Sequence, residues 1–314
     1  LIDQPQIELT PPDISAYRHG NTGIDYVTTL DSGQPGPHAV INALVHGNEL
    51  CGAIAIDALF HMGVRPRRGR LTLCLANVAA YQAFDPKAPY ASRFMEEDFN
   101  RLWTAEVLDS RRDTIDLQRA RQLRPLYDGA DVLLDLHSMT NDGEPLILSG
   151  RTERARTLAR ALGHPAWIVA DSGHAAGRRL IDYDRFAGEP GSPTAILVEC
   201  GQHWRAETAV VAVEASLRFL LALGMVDPDL AAPHLRPRHG VPRVVVVSDA
   251  VTAETDTFTF AAPFHGLESL AAGTLIATDG DRRVVAPYDG CILIMPARRV
   301  RQGQTAVRLG RVED

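Results

Sequence analysis

The segment His46-Gly47-Asn48-Glu49 puts an imidazole and a carboxylate three residues apart on a chain that arrives from an apolar run, Ala39 to Val45, and leaves into an apolar-periodic stretch from Leu50. That order reads as strand, tight turn and helix. Both side chains can reach one zinc ion, and a third ligand would complete an open His₂Glu site of the catalytic kind. Spacing alone is weak, because 11 His and 39 acidic residues in 314 would give about 1.4 such pairs by chance. Position raises the odds. A second apolar run, Asp131 to Leu136, ends in His137, and ligands of open α/β sheets collect beyond the carboxyl ends of strands. Side chains alternate along a strand, so Asp135 points the same way as His137 and could orient a ligating imidazole. A third run, Ala195 to Val198, brings Glu199 to a similar edge after a turn-forming segment, 188–193. Alone, that carboxylate reads as a sheet-edge ion pair; beside zinc it becomes a base that takes a proton from water and returns it to a leaving amine.

Between the two histidines lies Arg93-Phe94-Met95-Glu96-Glu97-Asp98-Phe99-Asn100-Arg101, approached by an aperiodic stretch with Pro86 and Pro89. Long irregular connections inside α/β domains tend to be binding loops. Arg93 and Arg101, flanking Asn100, could grip a carboxylate through paired charge-assisted hydrogen bonds. The competing reading is a solvated loop in which these arginines pair with Glu96, Glu97 and Asp98.

Val45-His46-Gly47-Asn48-Glu49, Asp98-Phe99-Asn100-Arg101, Asp135-Leu136-His137 and Val198-Glu199-Cys200-Gly201, in this order, resemble the succinylglutamate desuccinylase/aspartoacylase family of the zinc carboxypeptidase A superfamily. The resemblance spans nearly the whole chain. It implies one zinc ion per chain held by His46, Glu49 and His137, with Glu199 as proton shuttle. It also implies Arg93 as the group that polarises the scissile carbonyl, and Asn100 with Arg101 as the clamp for a substrate carboxylate. Family members carry further substrate-binding Tyr and Arg residues shortly before the catalytic Glu, where Tyr183 and Arg185 stand here. Tyr288 is the counterpart expected from the C-terminal region.

The elements that must position these groups alternate. Strand patterns near 25–30, 39–45, 71–77, 132–137, 145–149, 167–171 and 195–200 are interleaved with helical patterns near 50–62, 110–127, 152–162 and 206–223. Gly163 and Gly224 follow two helical runs where a left-handed cap is expected. The pattern predicts an α/β catalytic domain with a mixed, largely parallel sheet flanked by helices, residues 1–235. Four prolines within 227–242 mark a linker. Residues 240–314 then read as a small all-β domain whose segments resemble the barrel-sandwich fold of lipoyl and biotinyl carriers. Carrier chemistry is excluded, since such carriers are modified on lysine and the sole lysine, Lys87, lies outside this region. A pocket-capping or structural role fits better, with self-association into a homo-oligomer as the rival.

A net charge of −7 argues against nucleic acid or an anionic membrane as the main partner. Scattered cysteines, the absence of a basic-then-apolar start and the lack of a membrane-length apolar run lead to the expectation of a cytoplasmic protein with buried free thiols. Together these readings predict a zinc-dependent deacylase that cleaves the amide of an N-acetyl or N-succinyl amino acid or a related small molecule. A zinc carboxypeptidase acting on short peptides and a non-catalytic metal-binding regulatory protein are the alternatives.

Overall fold

The computed structural model describes residues 6–173, 176–188, 193–237, 240–297 and 299–313. The first part of the chain contributes β1 (Val27–Asp31), β2 (His38–Ala43), α1 (Leu50–His61), β3 (Arg70–Leu75), α2 (Val78–Gln82), α3 (Ala105–Leu108), α4 (Ile115–Asp128), β4 (Val132–Met139) and β5 (Leu146–Leu148). It continues with α5 (Glu153–Leu162), β6 (Trp167–Ala170), α6 (Asp184–Ala187), β7 (Thr194–Gln202), α7 (Ala206–Ala222) and α8 (Pro228–Ala231). The rest is β: β8 (Arg243–Thr252), β9 (Thr259–Phe260), β10 (Ser269–Leu270), β11 (Leu275–Asp279), β12 (Arg282–Val285), β13 (Cys291–Ile294) and β14 (Thr305–Val312).

Strands β2, β4 and β7 are apolar and buried on both faces, as parallel strands sandwiched between helices must be. Alternation divides their side chains between two cores. Ile41, Leu134, Leu136, Ile196 and Val198 pack on the side of α1, α5 and α7. Val40, Leu133 and Leu197 pack on the side of α4, against Leu117, Leu123 and Tyr127. Each fully buried aliphatic side chain contributes about 1.5–3 kcal/mol. This three-layer core therefore fixes the strand register, because a one-residue slip would exchange the two faces. Helix α5 starts at Thr152, whose hydroxyl accepts from the Ala155 amide, and ends at Gly163 with φ +71°.

The strands near the site run parallel, β3-β2-β4-β7, so the ends of β2, β4 and β7 open to one side. The whole sheet has eleven strands in the order β1-β3-β2-β4-β7-β5-β6-β8-β14-β13-β10. It crosses the position expected for a domain boundary: β6 pairs in parallel with β8, Trp167 opposite Arg243 and Ala170 opposite Val246. The C-terminal region is otherwise antiparallel, with a separate β12-β11-β9 sheet and a small core around Ile276, Leu293, Val307 and Leu309. The proline-rich stretch is partly helical, with Asp227 capping α8 and Pro228 in its first turn, where its missing amide costs nothing. Of the turn expected at 188–193, residues 189–192 lie outside the described residues. All four cysteines are free and buried, and among the described residues no helix is long and apolar enough to cross a membrane.

Candidate active site

Two backbone features aim His46 into the crevice. Leu44, buried at the end of β2, takes φ +61°, a strained choice for a non-glycine residue that turns the chain out of the strand. Gly47 packs so closely under α2 that a Cβ would stand 2.2 Å from the Ala80 carbonyl carbon, so only glycine fits between the histidine and Glu49. Glu49 precedes α1 and lies between two imidazoles. Its Oε1 is 2.7 Å from His46 Nδ1 and its Oε2 is 2.9 Å from His137 Nδ1. The ring centroids are 5.1 Å apart.

The outer nitrogen of each imidazole is backed by a carboxylate. Asp135 Oδ2 is 2.9 Å from His137 Nε2, and Asp98 Oδ1 is 3.1 Å from His46 Nε2. Asp135 is itself held by Asn42 Nδ2, and Asn42 Oδ1 accepts from the Tyr127 hydroxyl, an interior network with little freedom. Such backing favours the tautomer with its proton on Nε2 and leaves both Nδ1 lone pairs facing the Glu49 carboxylate. Lone pairs and a carboxylate converging within 4.8 Å of one another form a donor set that fits a cation.

Glu199 stands opposite His137 in the register of β4 and β7. It is 7% exposed, and among the described residues its Oε2 has no hydrogen-bond partner. Burial pushes its carboxyl up to about 8, against the pull of His137 and Arg93. A carboxylate with high proton affinity and an unused oxygen can accept and later release a proton.

The loop brings Arg93 to the same place, with NH1 3.8 Å from Glu49 Oε1 and NH2 donating to Asp98 Oδ2 at 3.3 Å. Its acidic residues do not hold Arg101. Glu97 binds Arg112 and Thr114, Glu96 accepts from the Ile115 amide, and Asp98 is taken by His46 and Arg93. The Arg101 side chain donates to the Asn100 carbonyl at 2.7 Å and forms no ion pair among the described residues. Asn100 is buried, its Oδ1 accepting from the Leu180 amide at 2.9 Å, which fixes the amide and directs its NH₂ group away from that contact. Fully buried Asp116 at the start of α4 gathers the loop. It accepts from the amides of Met95, Glu96 and Glu97 and from Asn77 Nδ2.

Three residues expected to contact substrate have partners within the protein. Tyr288 packs under Arg311, whose guanidinium carbon is 3.4 Å from the ring centroid, and its hydroxyl meets Ser248 Oγ on β8. Those partners hold the ring on the C-terminal strands. Tyr183 is buried against Trp103 and donates to Asp128, while Arg185 donates to the Ala130 carbonyl. The structure adds roles that the sequence pattern did not show. Asp98 backs His46, and its loop setting gave no period from which to read that direction. Arg179 is buried between Asp171 and Asp182. His203 bridges Ser138 and Thr140, and burial pushes its imidazole down to about 3.

The model of the succinylglutamate desuccinylase/aspartoacylase catalytic domain matches residues 35–223. The chain belongs to the succinylglutamate desuccinylase/aspartoacylase family. A succinylglutamate desuccinylase of Burkholderia cenocepacia is 26% identical over 292 residues, covering 85% of this chain and 79% of the relative. Two solved structures share the fold. A succinylglutamate desuccinylase/aspartoacylase from Rhodobacter sphaeroides superposes with TM-score 0.67 at 21% identity, over 92% of this chain and 89% of its own. The Vibrio parahaemolyticus succinylglutamate desuccinylase gives 0.66 at 20% identity, over 92% and 86%. The family match contains all three candidate ligands, Glu199, and the loop from Arg93 to Arg101.

Proposed function

We propose that this family member is a zinc-dependent deacylase that hydrolyses the amide bond of an N-acyl amino acid. The observation that carries the reading is the convergence of His46 Nδ1, Glu49 and His137 Nδ1 beside a buried carboxylate, Glu199, with an unpartnered oxygen. The ligands would be these three side chains, and one zinc ion per chain would leave a position open for chemistry. Bound there, zinc supplies Lewis-acid polarisation of a carbonyl and makes water more acidic.

The chain's own groups supply the rest. Glu199 removes a proton from the attacking water as its oxygen bonds to the carbonyl carbon. Arg93 faces the negative charge that develops on the carbonyl oxygen. As the carbon–nitrogen bond breaks, Glu199 returns the proton to the leaving amine, giving a carboxylate and a free amino group. Asn100 and Arg101 hold the substrate carboxylate and thereby orient the amide. A C-terminal region that closes over the crevice, expected as a unit from 240 onwards, would favour a small substrate over a long peptide.

A hydrolysis screen of the zinc-loaded protein against N-acetyl and N-succinyl amino acids, with short peptides as the competing class, tests the reading. Turnover of the N-acyl amino acids is expected. Cleavage restricted to peptides would convert the assignment to a carboxypeptidase, and stoichiometric metal with no turnover of either class would favour a regulatory protein.

A further inference from the structure

Just beyond Glu199 the parallel register breaks. His137 lies opposite Glu199, but the next pairing sets Met139 against Gln202, so β7 uses three residues where β4 uses two. Gly201 lies within that step at φ +115°, a conformation that any side chain would strain. A bulge of this kind re-aims the residues that follow it. Here Gln202, His203 and Trp204, all buried, turn back across the end of β4.

The corner is fastened to itself and to the start of α7. The Gln202 carbonyl accepts from Thr208 Oγ1 at 2.6 Å, and Gln202 Oε1 accepts from the Trp204 amide at 3.0 Å. From this fixed point two rings reach the two segments that carry the candidate ligands. Trp204 Nε1 donates to the Asn48 carbonyl at 3.1 Å, in the turn between His46 and Glu49. His203 Nδ1 is 2.8 Å from Ser138 Oγ, and the His203 amide donates to the Met139 carbonyl at 2.8 Å. Ser138 directly follows His137, and its own amide donates to Glu49 Oε2 at 3.3 Å. Packing alone would account for two buried rings. It does not account for a polar atom of each ring ending on a residue next to a ligand, in segments about ninety residues apart, where an unmade bond would be costly.

We propose that His203 and Trp204 are positioning residues that fix the His46–Glu49 turn against the end of β4, holding His46, Glu49 and His137 at the separation a metal ion requires. Both follow Glu199 on one continuous stretch of chain, so the same corner sets the proton-transferring carboxylate relative to the ligands. The inference deepens the proposed function, resting on its metal site and not on its substrate.

The test is zinc affinity by chelator competition, together with the visible absorption of the Co²⁺-substituted protein. Trp204→Phe keeps an aromatic ring in the core and removes the indole N–H. His203→Asn keeps a polar atom in the place of Nδ1, facing Ser138, whereas His203→Gln keeps one in the place of Nε2, facing Thr140. Trp204→Phe and His203→Gln should each weaken zinc binding about 10- to 100-fold and shift the Co²⁺ bands, while His203→Asn should retain most of the affinity and the original spectrum. Ser138→Ala removes the hydroxyl that His203 meets and should reproduce the loss seen in His203→Gln; with Trp204→Phe it carries the test if a His203 variant does not fold. A role in packing alone would lower the melting temperature and leave affinity and spectrum unchanged, or would make asparagine and glutamine at position 203 equally harmful. Either result would overturn the proposal. The unaltered protein is assayed first for zinc and for hydrolysis of N-acyl amino acids. Stoichiometric zinc without hydrolysis would sink the deacylase reading and leave the affinities to decide the positioning roles. Zinc and hydrolysis with affinities that ignore Trp204 and His203 would sink the positioning roles alone, and absence of stoichiometric zinc would sink both.

Discussion

The strand ends and the loop contribute to one crevice but are held there by different physics. His46 follows β2, and His137 and Glu199 lie within β4 and β7, strands whose directions are set by a sheet buried on both faces. Arg93, Asp98, Asn100 and Arg101 lie on a segment with almost no regular structure, and buried polar groups hold it: Asp116 beneath 95–97 and the Leu180 amide on Asn100. The strand-borne groups should therefore tolerate changes around the loop, whereas the loop-borne groups should move together when a single anchor is lost.

The comparison is broken most severely by removing part of the sheet. Ending the chain at Gly240 would leave β6 as an open edge and take Val245, Ile292 and Ile294 out of the core beside Leu148 and Val169. Aggregation, or a melting temperature lower by well over 10 °C, is expected from that exposure. A truncated protein that melts cooperatively near the original temperature would show that the catalytic region folds alone.

Asp116→Asn comes next. An amide offers one accepting oxygen where the carboxylate takes three backbone amides and Asn77. Turnover of an accepted substrate should fall by about 10²-fold, because Arg93 and Asn100 lose their placement. Metal content should stay unchanged, since no candidate ligand lies on the loop. Loss of metal together with activity would mean that loop and strand ends form one cooperative unit.

Asp135→Asn acts on the strand side through the His137 imidazole. Metal affinity should weaken by about 10- to 100-fold, measurable by competition with a chelator. The smallest effect is expected at Tyr288. Tyr288→Phe removes the Ser248 contact and leaves the ring under Arg311, so kcat/KM should change less than about threefold. A large loss there would return Tyr288 to the substrate pocket.

The same contrast explains what could be read before the fold was known. The period of two along Asp131 to His137 gives both the strand and the direction of Asp135 relative to His137, and doubly buried apolar runs give a parallel sheet. The order of the four motifs places the family. Asp98 stands in the motif that includes Asn100 and Arg101, yet no period tells which way it points, and its role behind His46 depends on a tertiary contact 52 residues away. The join between the two regions was hidden for a related reason: only the pairing of β8 with β6 carries the C-terminal strands onto the catalytic sheet. The apparent linker at 227–242 concealed that continuity. Prolines signalled a break in the chain, while Pro228 sits where a helix accepts it.

The most direct test of the central claim pairs metal analysis with turnover in Glu199→Gln, using an N-acyl amino acid that the unaltered protein hydrolyses. The proposed roles predict about one zinc per chain in both proteins and a rate lower by roughly 10²–10⁴ in the variant. Near-normal turnover with glutamine at position 199, or no stoichiometric metal in the active protein, would contradict it.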